Sequence, residues 1–167
     1  LPEPAAPLTN PSNIHIMKSK SFLLSLLMAL LPLALSAQQV TISPIPQSIE
    51  WGTKAFAQGA GGNCTLHGAD LADADAVRAL NALLAQSTFD TDLHIYIGER
   101  GAEAVAAYAA QIPEKAEGYY LSVQPGTIVI AGNDGRGTFY AVQSLKQILA
   151  QPEVHSVTIQ DWPDILE

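Results

Sequence analysis

The sequence predicts an α+β domain, a mixed β-sheet with helices packed mainly on one face. Three observations carry that expectation. Residues 119–123 and 127–131 are apolar runs joined by Pro125-Gly126, a hairpin turn in which Pro presets φ and Gly accepts φ > 0. Two stretches, from Asp70 to Leu84 and from Thr138 to Leu149, repeat apolar residues at helical spacing. Shorter extended runs alternate with them along the chain, without internal repeats.

The elements follow in order. Val40-Thr41-Ile42-Ser43 alternates as a first strand, with Pro44 and Pro46 restricting it to an edge or a strand end. Residues 47–51 form a second short extended piece, with Ile49 and Trp51 on one face. The glycine-rich segment 59–62 is a connector, and 65–67 a brief strand. Asp70 caps a helix whose buried stripe is Val77, Leu80, Leu83 and Leu84, with Asp73 and Asp75 near its positive end. Residues 93–97 alternate as a strand ending at Gly98, and 102–112 read as a helix stopped by Pro113. Both faces of the 119–131 hairpin are apolar, so that part of the sheet is covered or central. The last helix buries Ala141, Val142, Leu145, Ile148 and Leu149, and a strand through 157–160 closes the order.

The run from Glu117 onward carries a resemblance to a known family. It reads Glu117-Gly118-Tyr119-Tyr120-Leu121, then Ala131-Gly132-Asn133-Asp134-Gly135-Arg136-Gly137-Thr138, then Tyr140-Ala141-Val142-Gln143 and Asp161-Trp162-Pro163. In that order these segments resemble the end of the N-terminal domain of glycoside hydrolase family 84, the O-GlcNAcase-like β-N-acetylglucosaminidases. Related domains precede the barrels of family 20 hexosaminidases, the near alternative. The likeness extends back to about Pro44. It implies an α+β domain over 38–160, which agrees with the reading from residues alone. It further implies that 161–167 begin the linker to a catalytic (β/α)₈ barrel absent from this chain. That barrel is the expected partner, and carbohydrate would be met only through it. In such enzymes two neighbouring Asp residues of the barrel act with the substrate's own acetamido oxygen as nucleophile, a substrate-assisted variant of the two-carboxylate scheme.

The N-terminal residues have a pattern of their own. Residues 1–16 are Pro-rich and aperiodic, an upstream unstructured segment. From Met17, the basic Lys18 and Lys20, an apolar run over 22–35 and Ser36-Ala37 form a signal peptide over 17–37. The apolar run is shorter than the roughly 20 residues a bilayer span needs. A secreted or periplasmic protein, without a membrane anchor in its mature form, is the expectation.

Composition excludes some partners. The chain holds 16 acidic against 8 basic residues, a formal charge of −8, so it lacks the clustered cations that nucleic acid or an anionic membrane requires. Cys64 is the only cysteine. No intrachain disulfide is available, and a small buried or half-buried residue is the expected role for it.

The chemistry-bearing residues divide between structural and functional readings. Gly132, Gly135 and Gly137 match neither the Walker nor the Gly-x-Gly-x-x-Gly spacing, so a tight corner with positive φ and Asn133 or Asp134 as cap is expected over a phosphate cradle. Asp73/Asp75 and Asp90/Asp92 lie two apart, and no adjacent Asp-Asp pair occurs. His67, His94 and His155 are scattered without ligand spacing. Glu99 and Glu103 would give a calcium ion two carboxylates where it takes six to eight oxygens. No catalytic, cofactor-binding or metal-binding residue is assigned, and no cofactor is expected. Tyr119, Tyr120, Phe139 and Trp162 are expected in core and interdomain packing. A free-standing carbohydrate-binding or adhesion module is the alternative, favoured if aromatics line a surface groove.

Overall fold

The computed structural model describes residues 41–164. The expected upstream segment over 1–16, the expected signal peptide over 17–37, Val40 and residues 165–167 of the expected linker lie outside the described residues. Six strands form one sheet: β1 (Ser48–Ala57), β2 (Cys64–His67), β3 (Leu93–Glu99), β4 (Tyr119–Gln124), β5 (Thr127–Gly132) and β6 (Glu153–Asp161). Among the described residues, two α-helices, α1 (Ala74–Leu84) and α2 (Gly135–Leu149), and a 3₁₀ helix (Glu103–Tyr108) accompany the sheet. The strand order is β1-β6-β4-β5-β3-β2. β2, β3 and β5 run parallel to one another, and β1, β6, β4 and β5 pair antiparallel. The sheet is therefore mixed, as the sequence predicts.

Alternation along the strands sorts their side chains onto two faces. One face presents Ile95, Ile97, Leu121, Val123, Ile128, Ile130, Val157 and Ile159 to Ala76 and Leu80 of α1 and to Ala141, Val142, Leu145 and Ile148 of α2. Fully burying a side chain of this size contributes about 1.5–3 kcal/mol, so this layer supplies most of the stability. The opposite face is covered over its centre by Val105 and Ile112, which pack on Tyr120, Val129 and Ala131. Both faces of the hairpin are thus apolar because both are covered.

The Pro125-Gly126 turn forms as expected, with Gly126 at φ +73°. Four local expectations are revised. Residues 41–43 are not a strand; Gln147 holds Ser43 instead, accepting from its N–H at 2.9 Å and donating to its carbonyl at 3.0 Å. The extended piece at 47–51 continues to Ala57 as an edge strand, with irregularities between Trp51 and Lys54 and between Lys54 and Phe56. Helix α1 starts at Ala74, because the amides of Leu71 and Ala72 turn back to the carbonyl of Gly68 and Asp73 becomes the cap, accepting from Asp75 and Ala76. Of the stretch 102–112, only Glu103–Tyr108 is helical, as a 3₁₀ helix whose preceding residue, Ala102, offers no side-chain cap. Among the described residues, no helix is long and apolar enough to cross a membrane.

Candidate functional site

A groove runs beside the point where the chain leaves the sheet. Helix α2 forms one wall: Tyr140, Gln143, Ser144 and Gln147 follow one another at helical spacing along one stripe, with Ser144 buried at its base. The segment 43–47 forms another wall, tied down by the Gln147–Ser43 pair and by Gln47, whose N–H donates to Asp161 Oδ1 at 3.1 Å and whose amide donates to Asp164. Asp161, Trp162, Pro163 and Asp164 close the third side, with Tyr119 and Glu117 below. The volume is about 470 Å³, within the range of small-molecule sites.

Two of the large apolar side chains left in solvent belong to this groove: Ile45 is 80% and Tyr140 41% exposed. Beneath them the Tyr119 hydroxyl shares a 2.7 Å hydrogen bond with Ser144 Oγ. Burial pushes the Tyr119 phenol well above its ordinary range, and the negative charge of Asp161 adds to the effect. The aromatics singled out in the sequence therefore divide. Tyr119 and Tyr120 are buried, Phe139 packs partly into the core, and Trp162 reaches the groove. Tyr140, which sequence periodicity leaves unremarked, is the exposed ring.

The glycine corner between β5 and α2 is built for close approach rather than for positive φ. None of Gly132, Gly135 and Gly137 has positive φ, but a Cβ on Gly132 would lie 2.2 Å from the Thr138 amide, and one on Gly137 would lie 2.1 Å from the Gly118 carbonyl. Asp134 caps α2, accepting from Gly137 at 2.9 Å, and its other oxygen accepts from the Glu117 amide at 2.8 Å. The helix N-terminus is thus served by the protein's own carboxylate, where a phosphate cradle would leave it free. Arg136 pairs with Glu117 at 2.6 Å, which raises the guanidinium above its already high range.

The remaining carboxylates brace turns. Glu99 accepts from the Asp73 amide at 2.9 Å and from the Thr138 hydroxyl at 3.1 Å, joining β3 to the starts of both helices. Asp90 accepts from the Ala57 amide and Asp92 from the Asn63 amide, at 2.9 and 2.8 Å. Glu99 ends β3 and Glu103 begins the 3₁₀ helix, so the two carboxylates do not lie on one helix. Cys64 is exposed rather than half-buried, and partial burial followed by the nearby Asp92 charge raises its thiol, the wrong direction for a nucleophile. One pairing escaped the sequence: His67 and His94, 27 positions apart, meet at 3.2 Å between Nε2 and Nδ1. The parallel pairing of β2 with β3 brings them together, and local spacing carries no sign of it.

Comparison with known proteins places the domain. The family model described as glycosyl hydrolase family 20, domain 2, matches residues 39–162. Among solved structures, the protein CpGH84D superposes with a TM-score of 0.63 at 22% identity, over 76% of this chain and 24% of that one, a likeness of fold. CpGH84B gives 0.54 at 29% identity, over 75% and 23% of the two chains. A glycoside hydrolase family 20 β-N-acetylglucosaminidase gives the same four values. This chain spans about a quarter of the length of those proteins, in which the matched part is one domain of a larger hydrolase. Its match across nearly all the described residues shows that the chain belongs to the glycosyl hydrolase family 20, domain 2 family, as an accessory domain of the kind found in family 20 and family 84 β-N-acetylglucosaminidases.

Proposed function

We propose that this domain is the non-catalytic N-terminal part of an exported β-N-acetylglucosaminidase and docks a catalytic (β/α)₈ barrel through the groove at 161–164. The parent enzyme hydrolyses terminal N-acetylglucosamine with retention, by the substrate-assisted route. The signal peptide over 17–37 directs export, and the accessory domain covers 38–160. One observation carries the docking reading: the segment on which the chain leaves β6 lines the same groove as the exposed Ile45 and Tyr140. A barrel continuing from there meets an apolar surface with polar edges, the character of an interdomain contact.

The test compares this chain with a longer product extending beyond Glu167, using a chromogenic N-acetyl-β-glucosaminide. The longer product is expected to turn over the substrate and the 167-residue chain to be inert. Ile45→Ser with Tyr140→Ser should leave the stability of the short chain within about 0.5 kcal/mol, yet lower the thermal stability of the long one. Equal stability of the long protein with and without these substitutions would refute the docking surface.

A second reading follows from Tyr140 standing beside Gln143, Gln147 and Asp161, an aromatic face with amide and carboxylate partners that suits a sugar ring. Binding of N-acetylglucosamine by the isolated chain, with NMR shifts at Tyr140 and Trp162, would favour this carbohydrate-binding function.

A further inference from the structure

The uncovered edge of the second sheet face carries the His67–His94 pair. β2 and β3 are parallel neighbours with Thr65 opposite His94 and His67 opposite Tyr96, so the two imidazoles approach diagonally across the strands. The half-buried His67 ring stacks on Tyr96 at 4.5 Å between centroids and 14° between planes, which fixes its orientation. His94 is exposed, and its ring lies 5.4 Å from that of His67.

From this arrangement we propose a two-imidazole site for a borderline-soft divalent cation such as Zn²⁺, held by His67 Nε2 and His94 Nδ1. Two Zn–N bonds of about 2.0–2.1 Å in tetrahedral geometry set their nitrogens about 3.3 Å apart, and the observed separation is 3.2 Å. The ring that now donates would carry its proton on its other nitrogen. Because the centroids are 5.4 Å apart with the rings nearly end to end, each ring would turn by roughly 40° to aim its lone pair at the ion, a side-chain movement that the backbone need not follow. Imidazole nitrogen selects Zn²⁺, Cu²⁺ or Ni²⁺ over Ca²⁺ and Mg²⁺, which take oxygen ligands.

The protein supplies two ligands, and water completes the shell. Among the described residues, no group of three or more His, Cys, Asp or Glu converges in this way. Cys64 pairs in register with the core residue Leu93 and so projects from the opposite pleat to His67. The Asp92 carboxylate is engaged with Asn63. Because the ligands lie on different strands, the ion would fasten the four-residue edge strand β2 to β3 across 27 positions of chain, and since only the folded sheet brings the two rings together it would stabilise the native state by mass action.

The experiment is a Zn²⁺ titration of the 167-residue chain, followed by NMR of the histidine rings and by thermal melting. Zn²⁺ is expected to shift the His67 and His94 signals together and to raise the melting temperature. His67→Gln and His94→Gln, each confirmed folded by its metal-free melt, should each weaken binding by about tenfold or more and abolish the rise. His155→Gln should behave as the parent, because His155 lies on β6 beside Glu153. Unchanged Zn²⁺ affinity in both His67→Gln and His94→Gln, or shifts confined to other histidines, would overturn the site.

Discussion

Asp134 holds Glu117 in an unusual backbone conformation. One oxygen of Asp134 accepts from the Glu117 amide while the other caps helix α2 at Gly137, and Glu117, at φ +60°, is the single non-glycine residue with positive φ among those described. One carboxylate thus joins the approach to β4 to the start of the last helix. Asp134→Ala removes the cap and leaves the Glu117 amide without its acceptor. The expected loss is about 2–3 kcal/mol, measured by urea unfolding. Asp134→Asn, which keeps one acceptor oxygen, should lose less.

The strain at Glu117 is separable from its side chain. Glu117→Asn and Glu117→Val both delete the ion pair with Arg136, but Asn tolerates the left-handed region and a β-branched residue does not. The Val variant should be less stable than the Asn variant by about 1–2 kcal/mol. Equal denaturation midpoints for the two would show that the conformation relaxes at no cost.

Gly137 reverses a general expectation about helices. Replacing glycine by alanine inside a helix ordinarily stabilises by about 1 kcal/mol. Here the added Cβ would stand 2.1 Å from the Gly118 carbonyl, which also accepts from the Asn133 amide at 2.7 Å. Gly137→Ala should therefore destabilise, by about 1–3 kcal/mol, with the denaturation midpoint as the readout.

Tyr119 sets an alkaline limit. Its folded-state pKa lies above the ordinary tyrosine value of about 10, first because of burial and then because of Asp161. Below pH 10 both folded and unfolded forms keep the proton, so the preference for neutral tyrosine costs nothing. As pH rises past 10 and through the folded pKa, the unfolded chain ionises first and stability is lost. Unfolding free energies between pH 8 and 11 should fall on that limb, and Tyr119→Phe should flatten it while losing the Ser144 hydrogen bond.

Periodicity and turn chemistry made the central layer legible. The alternation in β3, the continuous apolar runs of β4 and β5, the Pro125-Gly126 turn and the stripe of α2 all report a local environment that the side chains themselves encode. Where a contact from afar decided the outcome, sequence was silent or misleading. Thr41-Ile42-Ser43 alternates as a strand does, but the amide of Gln147, 104 positions away, holds Ser43 in a strap. The glycines of the 132–137 corner allow close approach to Thr138 and Gly118, in place of the positive φ that the sequence predicts. The sequence leaves the cap open between Asn133 and Asp134; the structure uses Asp134, whose second bond, to Glu117, no local pattern announces. At the candidate groove, the motif around Asp161-Trp162-Pro163 was visible, whereas Tyr140 became notable only once its exposure was known. The meeting of His67 with His94 depended on strand order, which no local pattern specifies.

The pairing of β1 with β6 has a mechanical consequence. The strands are antiparallel, with Ser48 opposite Gln160 at one end and Ala57 opposite Glu153 at the other. Tension applied through the residues before Ser48 and after Asp161 would enter at the same end and tear the ladder one bond at a time, the weaker of the two ways to load it. Gln47, bonded to both Asp161 and Asp164, sits at the mouth of that tear. It is the latch that must open before the zip can run.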